Sequence, residues 1–138
     1  KSLDLSNHIE LQNFSAKECL IKELNLVNCY HLQQADLSNN HLHTLVLGNH
    51  PDLKSLILRN NCLTFVDILR CPELEELDIA GNYIEKLDIS GCPKIRSLTL
   101  NKHTWFIRLT TEQMNFLGDA LNRYSDRLTL DVVSNSQR

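Results

Sequence analysis

The sequence predicts an α/β-type repeat solenoid dominated by β structure, with about five coils of 21 residues closed at the C-terminal end by a helix and a strand. Three observations carry this. Leu supplies 26 and Asn 14 of the 138 residues, against four Gly and three Pro, a bias that marks a repeat. The chain matches itself at an offset of 21 from its first residues to Trp105 without a slip. Beyond Trp105 the repeat stops and a helical pattern begins.

Each coil holds two short segments in which apolar and polar residues alternate, the signature of a strand with one buried face. The first segment contributes the columns Leu3, Leu24, Leu45, Val66, Leu87 and Leu5, Leu26, Leu47, Ile68, Ile89. The second contributes Phe14, Ala35, Leu56, Leu77, Leu98 and Ala16, Leu37, Leu58, Ile79, Leu100. Turns are marked by Leu11, Leu32, Leu53, Leu74, Ile95 and by Ile21, Leu42, Leu63, Ile84, Trp105. No coil can bury these columns alone, but stacking at strand spacing makes one continuous core about 24 Å long.

Polar columns sit at the corners, where a buried polar side chain must satisfy backbone groups left unpaired by the turn. Asn40, Asn61 and Asn82 form one, ended by Cys19 and His103. His8, Cys29, His50, Cys71 and Cys92 form the other, with Pro51, Pro72 and Pro93 turning the chain just after it. Cys29, Cys71 and Cys92 are therefore read, with the three asparagines, as a structural ladder.

The C-terminal lid follows from Thr110-Thr111-Glu112-Gln113, a capping box, and from Met114, Leu117, Leu121 and Tyr124 on one helical face. Leu128, Leu130 and Val132 then alternate as a strand. The chain divides into a solenoid over 1–105 and a cap over 106–138, with a helix at about 111–124, a strand at about 128–133 and a tail from Ser134 to Arg138. The N-terminal end shows no comparable lid, and the start at Lys1 without Met leads to the expectation that coils or a domain of a larger parent precede it.

Leu53-Lys-Ser-Leu56-Ile-Leu58-Arg-Asn-Asn61-Cys-Leu63 and Leu74-Glu-Glu-Leu77-Asp-Ile79-Ala-Gly-Asn82-Tyr-Ile84 resemble the leucine-rich repeat pattern L-x-x-L-x-L-x-x-N-x-L. The uniform 21-residue period, with halves ending in Cys-Pro-x-Leu or His-Pro-x-Leu, is similar to short-repeat bacterial leucine-rich proteins of the internalin J kind. The resemblance covers about three quarters of the chain and implies a right-handed solenoid that binds proteins through a concave sheet. It departs in the first coil, where Phe14 and Ala16 replace Leu and Cys19 replaces Asn. A bacterial cell surface, secretion and the cytoplasm are all compatible with this stretch.

Several chemistries are set aside. No apolar run exceeds three residues, so no membrane insertion is expected, and a net charge of -3 with pI near 6.1 gives no nucleic-acid footprint. Five cysteines are an odd number in a chain able to build its own core, so free thiols are expected. Zinc at the His/Cys corner is disfavoured, because ligands climb about 4.8 Å per coil and all four must lie within about 2.3 Å of the ion. No nucleophile motif, acid–base constellation or phosphate loop appears, so neither catalysis nor a cofactor is expected. His31, His41 and His43 are read as solvated turn residues, and Lys94, Arg96, Lys102 and Arg108 as a solvated rim.

The function expected is protein recognition, because aligned strands present outward rows that no coil needs for folding. On the asparagine-bearing strand, Ile57 is an aliphatic anchor beside Arg59, with Asp36, Glu76 and Asp78 on neighbouring coils, the composition of a small hot spot. An ordinary solubilising surface is the alternative for these residues, and a structural spacer in a larger protein is the alternative for the chain. On the opposite, convex face Val46, Phe65 and Leu69 occupy adjacent coils, and a second interface is expected there, with another copy or with an absent part of the parent. The competing expectation is that this half bends Phe65 and Leu69 inward.

Overall fold

A computed structural model describes residues 1–134. Of the expected tail, only Ser134 falls within them. In chain order the elements are β1 (Ser2–Asp4), β2 (Asn13–Ser15), β3 (Glu23–Asn25), β4 (Gln34–Asp36), β5 (Thr44–Val46), β6 (Ser55–Ile57), β7 (Glu76–Asp78), β8 (Lys86–Asp88), β9 (Ser97–Thr99), β10 (Phe106–Thr110), α1 (Thr111–Leu121), a 3₁₀ turn (Asn122–Tyr124) and β11 (Thr129–Val133).

Strands stay three residues long because each coil needs only one inward side chain between two outward ones before it must turn. The second-half strands form one parallel sheet, β2-β4-β6-β7-β9, in which Phe14, Ala35, Leu56, Leu77 and Leu98 are successive partners 21 residues apart. Inward columns from both halves meet between the sheets, and Leu26, Leu37, Leu58, Ile68 and Ile79 are wholly buried there. Each such side chain contributes about 1.5–3 kcal/mol by leaving water.

The opposite sheet is not continuous. It consists of β1-β3-β5 and of β8-β10-β11, and no strand forms over 65–67, where the repeat requires one. Val66 and Ile68 are nevertheless buried, so the core columns run through while the strand pairing lapses.

The 21-residue period slips once, contrary to the sequence reading. β8 and β10 pair with Leu87 opposite Ile107, an offset of 20. Thr104, not Trp105, therefore fills the turn column: it is wholly buried and its hydroxyl donates to Ile84 O at 2.7 Å. Trp105 moves outward to 42% exposure, where Lys86 lies over its ring. The Arg127 guanidinium gathers the carbonyls of the shortened turn, donating to Asn101 O at 2.9 Å, to Lys102 O at 3.2 Å and to Thr104 O.

The end of the molecule is a strand–helix–strand unit, where the sequence reading had only a helix and a strand. β10 extends the solenoid sheet and pairs on its other side with β11, in parallel, so α1 is the crossover between them. Helical geometry ends at Leu121 and tightens into the 3₁₀ turn. Thr110 and Gln113 form the capping box, and Leu117 and Leu121 are the buried apolar face of α1. At the other end of the solenoid the first coil departs from the repeat, with Glu18 and Leu20 held at φ of 57° and 59°.

Candidate functional site

On the five-stranded sheet the second outward column reads Ser15, Asp36, Ile57, Asp78, Thr99. Asp36 Oδ1 accepts the Ser38 amide at 3.1 Å and its hydroxyl at 2.7 Å, and Asp78 Oδ1 accepts the Ala80 amide at 3.0 Å. Such a carboxylate ends its strand by satisfying the amide two residues on. Partial burial works against the Asp36 anion, but Ser38 and then Lys17 outweigh it and hold the carboxyl below its ordinary value. The same device recurs on the opposite sheet at Asp4, Asn25, Asp67 and Asp88.

Two of the acidic residues assigned to the recognition surface are thus also parts of the fold. The others are placed as follows. Arg59 Nε donates to Asp78 Oδ2 at 3.0 Å, and the exposed Glu76 accepts from Ser55 Oγ at 3.0 Å. Ile57 cannot cap anything. It is half-buried and lines a shallow hollow of about 300 Å³ with Phe14, Gln34, Asp36 and Ser55. Ile57, Arg59, Glu76 and Asp78 are therefore on adjacent coils, with Asp36 one coil before.

The opposite face departs from its own pattern in the same coil. Val46 stands where Asp4, Asn25, Asp67 and Asp88 cap, and it is 44% exposed. Phe65 is 66% and Leu69 48% exposed, so neither turns inward. Both flank the stretch where strand pairing lapses.

The corners hold the stack. Asn61 Oδ1 accepts the Leu42 amide at 3.0 Å, and its Nδ2 donates to Leu37 O at 2.9 Å and Leu58 O at 3.0 Å. Asn40 and Asn82 repeat this one coil earlier and later. The residue before each of these is the one that sequence reasoning passed over: Asn39, Asn60 and Gly81 all have positive φ, and Asn60 donates to Asn39 at 2.9 Å. A Cβ on Gly81 would come within 2.1 Å of Asn60 Oδ1, so any side chain there would have to displace the Asn60 carboxamide as well as accept the left-handed backbone, which glycine adopts without strain. The enrichment in Asn thus has two causes, buried caps and left-handed turns, and the tandem Asn-Asn was the signal for the second.

At the other corner Cys29, His50, Cys71 and Cys92 are wholly buried, whereas His8 is exposed. The Cys29 thiol donates to Leu5 O at 3.0 Å and the Cys92 thiol to Ile68 O at 3.2 Å, carbonyls of the preceding coil. Gln113 continues the series from the lid: its Nε2 donates to Ile89 O at 2.7 Å and Cys92 O at 2.9 Å. Of the basic rim, Lys94, Arg96 and Arg108 are paired with Glu73, Glu75 and Asp131. His31, His41 and His43 are all exposed.

No helix among the described residues is long and apolar enough to cross a membrane. Residues 51–91 match the family model for leucine-rich repeats, in two copies, over the segment that holds Ile57, Arg59, Phe65, Leu69 and the asparagine caps Asn61 and Asn82. No curated protein matches the chain. The match addresses the repeat and not a bacterial or internalin J-like subtype, and with stacked parallel strands, inward leucines and buried corner asparagines it leads to one conclusion: the chain carries leucine-rich repeats.

Proposed function

We propose that the chain is a non-catalytic recognition module that engages a protein partner through the five-stranded sheet, centred on Ile57 and Arg59. Leucine-rich repeat domains generally mediate protein–protein interaction. The observation that carries the reading is Ile57 itself. Its column terminates strands with a carboxylate at Asp36 and Asp78, and an aliphatic side chain there forgoes that bond, about 1 kcal/mol of local stability, and leaves apolar surface in the hollow beside Phe14. A partner that inserts an apolar group beside Ile57 takes that surface out of water, and an acid can join Asp78 at the Arg59 guanidinium. Asp36, Glu76 and Asp78 form the polar surround.

Affinity capture with quantitative mass spectrometry tests this, comparing the wild type with Ile57→Asp, Arg59→Glu and, as a control remote from this sheet, Phe116→Ser. The expected result is a protein retained by wild type and control and lost with both sheet variants. Retention by all four proteins refutes the sheet as the binding surface, and retention of nothing by any of them favours a spacer.

A further inference from the structure

The face opposite the proposed binding sheet is self-complementary. It is built from the first-half strands, whose outward residues stand in three columns on successive coils, each coil about 4.8 Å from the next. Reversing the order of the coils about a point between the third and the fourth brings Glu23 of the second coil opposite Lys86 of the fifth. It also brings Asp4 of the first coil opposite Arg108 of the sixth. Leu69, 48% exposed, falls opposite Gly48, where the missing side chain leaves a dimple walled by Val27: a Cβ at Gly48 would meet Val27 Cγ2 at 3.5 Å. Phe65 falls opposite Thr44, and Val46 lies between these contacts.

From this we infer that the face seats a second copy of the chain, related by a two-fold axis that runs along the strands and passes between the third and fourth coils. Each contact then occurs twice: two Leu69 knobs fill two Gly48 dimples, and acid meets base at both ends of the apolar centre. This is the arrangement an isologous interface requires, residue i on j and j on i. Asp67 would be covered, but its Oδ1 is already occupied by the Leu69 amide at 3.1 Å. The face is narrow for a permanent dimer, so association belongs to the weak, reversible class. The association leaves the sheet that bears Ile57 free on both copies.

Sedimentation velocity of the full chain, from about 5 to about 500 µM, tests the inference. The wild type is expected to dimerise reversibly, and Leu69→Asp to remain monomeric. Glu23→Lys and Lys86→Glu should each weaken association by about tenfold or more. The double variant Glu23→Lys, Lys86→Glu should recover wild-type association, because the swapped charges meet only between copies: within one chain they are three coils apart, about 14 Å. All three positions are on the surface, and matching thermal melts exclude misfolding as the cause. A wild type that is monomeric throughout overturns the proposal, as does a Leu69→Asp variant that still dimerises, or a double variant that is no stronger than the single ones.

Discussion

At one corner of the three central coils a carboxamide donates and accepts at once; at the other a thiol or imidazole mostly donates. Asn61 makes three buried bonds, two of them to the coil before. Cys92 makes one bond through a weak S–H donor. The sheet that leads into the asparagine corner is unbroken, whereas the sheet that leads into the cysteine corner lapses at 65–67. A coil fixed firmly at one corner can relax at the other. That freedom is where the sequence departs most, with His50 among cysteines and apolar residues on the surface.

The difference between corners can be measured. Asn61→Ala strands an amide and two carbonyls in the core, and is expected to cost about 3 kcal/mol in urea melts. Gln113→Ala sharpens the comparison, because it removes an amide from the cysteine corner. It should cost about 2 kcal/mol, since the lid adjoins solvent on its outer side. Cys92→Ala should cost only about 1 kcal/mol, mostly from the small void. If Cys92→Ala matched Asn61→Ala, the two corners would be energetically equivalent and the contrast would fall.

His50 gives a smaller, pH-dependent effect. Burial opposes its imidazolium, and the Leu47, Leu26 and Cys29 carbonyls offset this only in part, so its folded pKa lies below the ordinary 6.5. The unfolded chain therefore takes up the proton first. His50 leaves stability full above about pH 6.5 and lowers it as pH falls from there through the folded value. His50→Cys, the residue used elsewhere in the column, should flatten this dependence between about pH 7.5 and about pH 5.5.

The smallest effect on stability is none: thiol labelling of the native protein at neutral pH. Burial, and after it Asp67, pushes the Cys71 thiol up to about 12, and burial, then Cys71 and Asp88, pushes Cys92 up further. The half-buried Cys19 and Cys62 should label first, and Cys29, Cys71 and Cys92 only in denaturant, as mass spectrometry would show.

Most of the fold was legible because each column repeats a single physical demand. Inward leucines, corner asparagines and the capping box stood at fixed offsets. The slip at Trp105 was hidden because a large apolar residue fits an apolar column, while Thr104 satisfies the turn by hydrogen bonding, which periodicity does not weigh. The lapse at 65–67 left no trace in a pattern that continues through Val66 and Ile68. On the candidate site, sequence reasoning singled out Ile57 and Arg59 as an apolar anchor with a charged neighbour, and read Asp36 and Asp78 as surface alone. Their second duty depends on an amide two residues away, which becomes visible only once the strand is seen to end there.

The asparagine caps also give the stack a direction. Asn40, Asn61 and Asn82 each bond the coil before their own, so each of the first three coils has its corner backbone satisfied by its successor. A load applied at the C-terminal end would remove caps in sequence, and each coil lost would leave the next one open at its corner. A load at the N-terminal end would break the same kind of bond from the other side, leaving the Asn40 carboxamide without the Ala16 carbonyl and the Cys19 and Ile21 amides. Loss from the two ends therefore strands different groups, an asparagine side chain at the N-terminal end and backbone amides and carbonyls at the C-terminal end, and the strand–helix–strand lid sits where that backbone would be laid open.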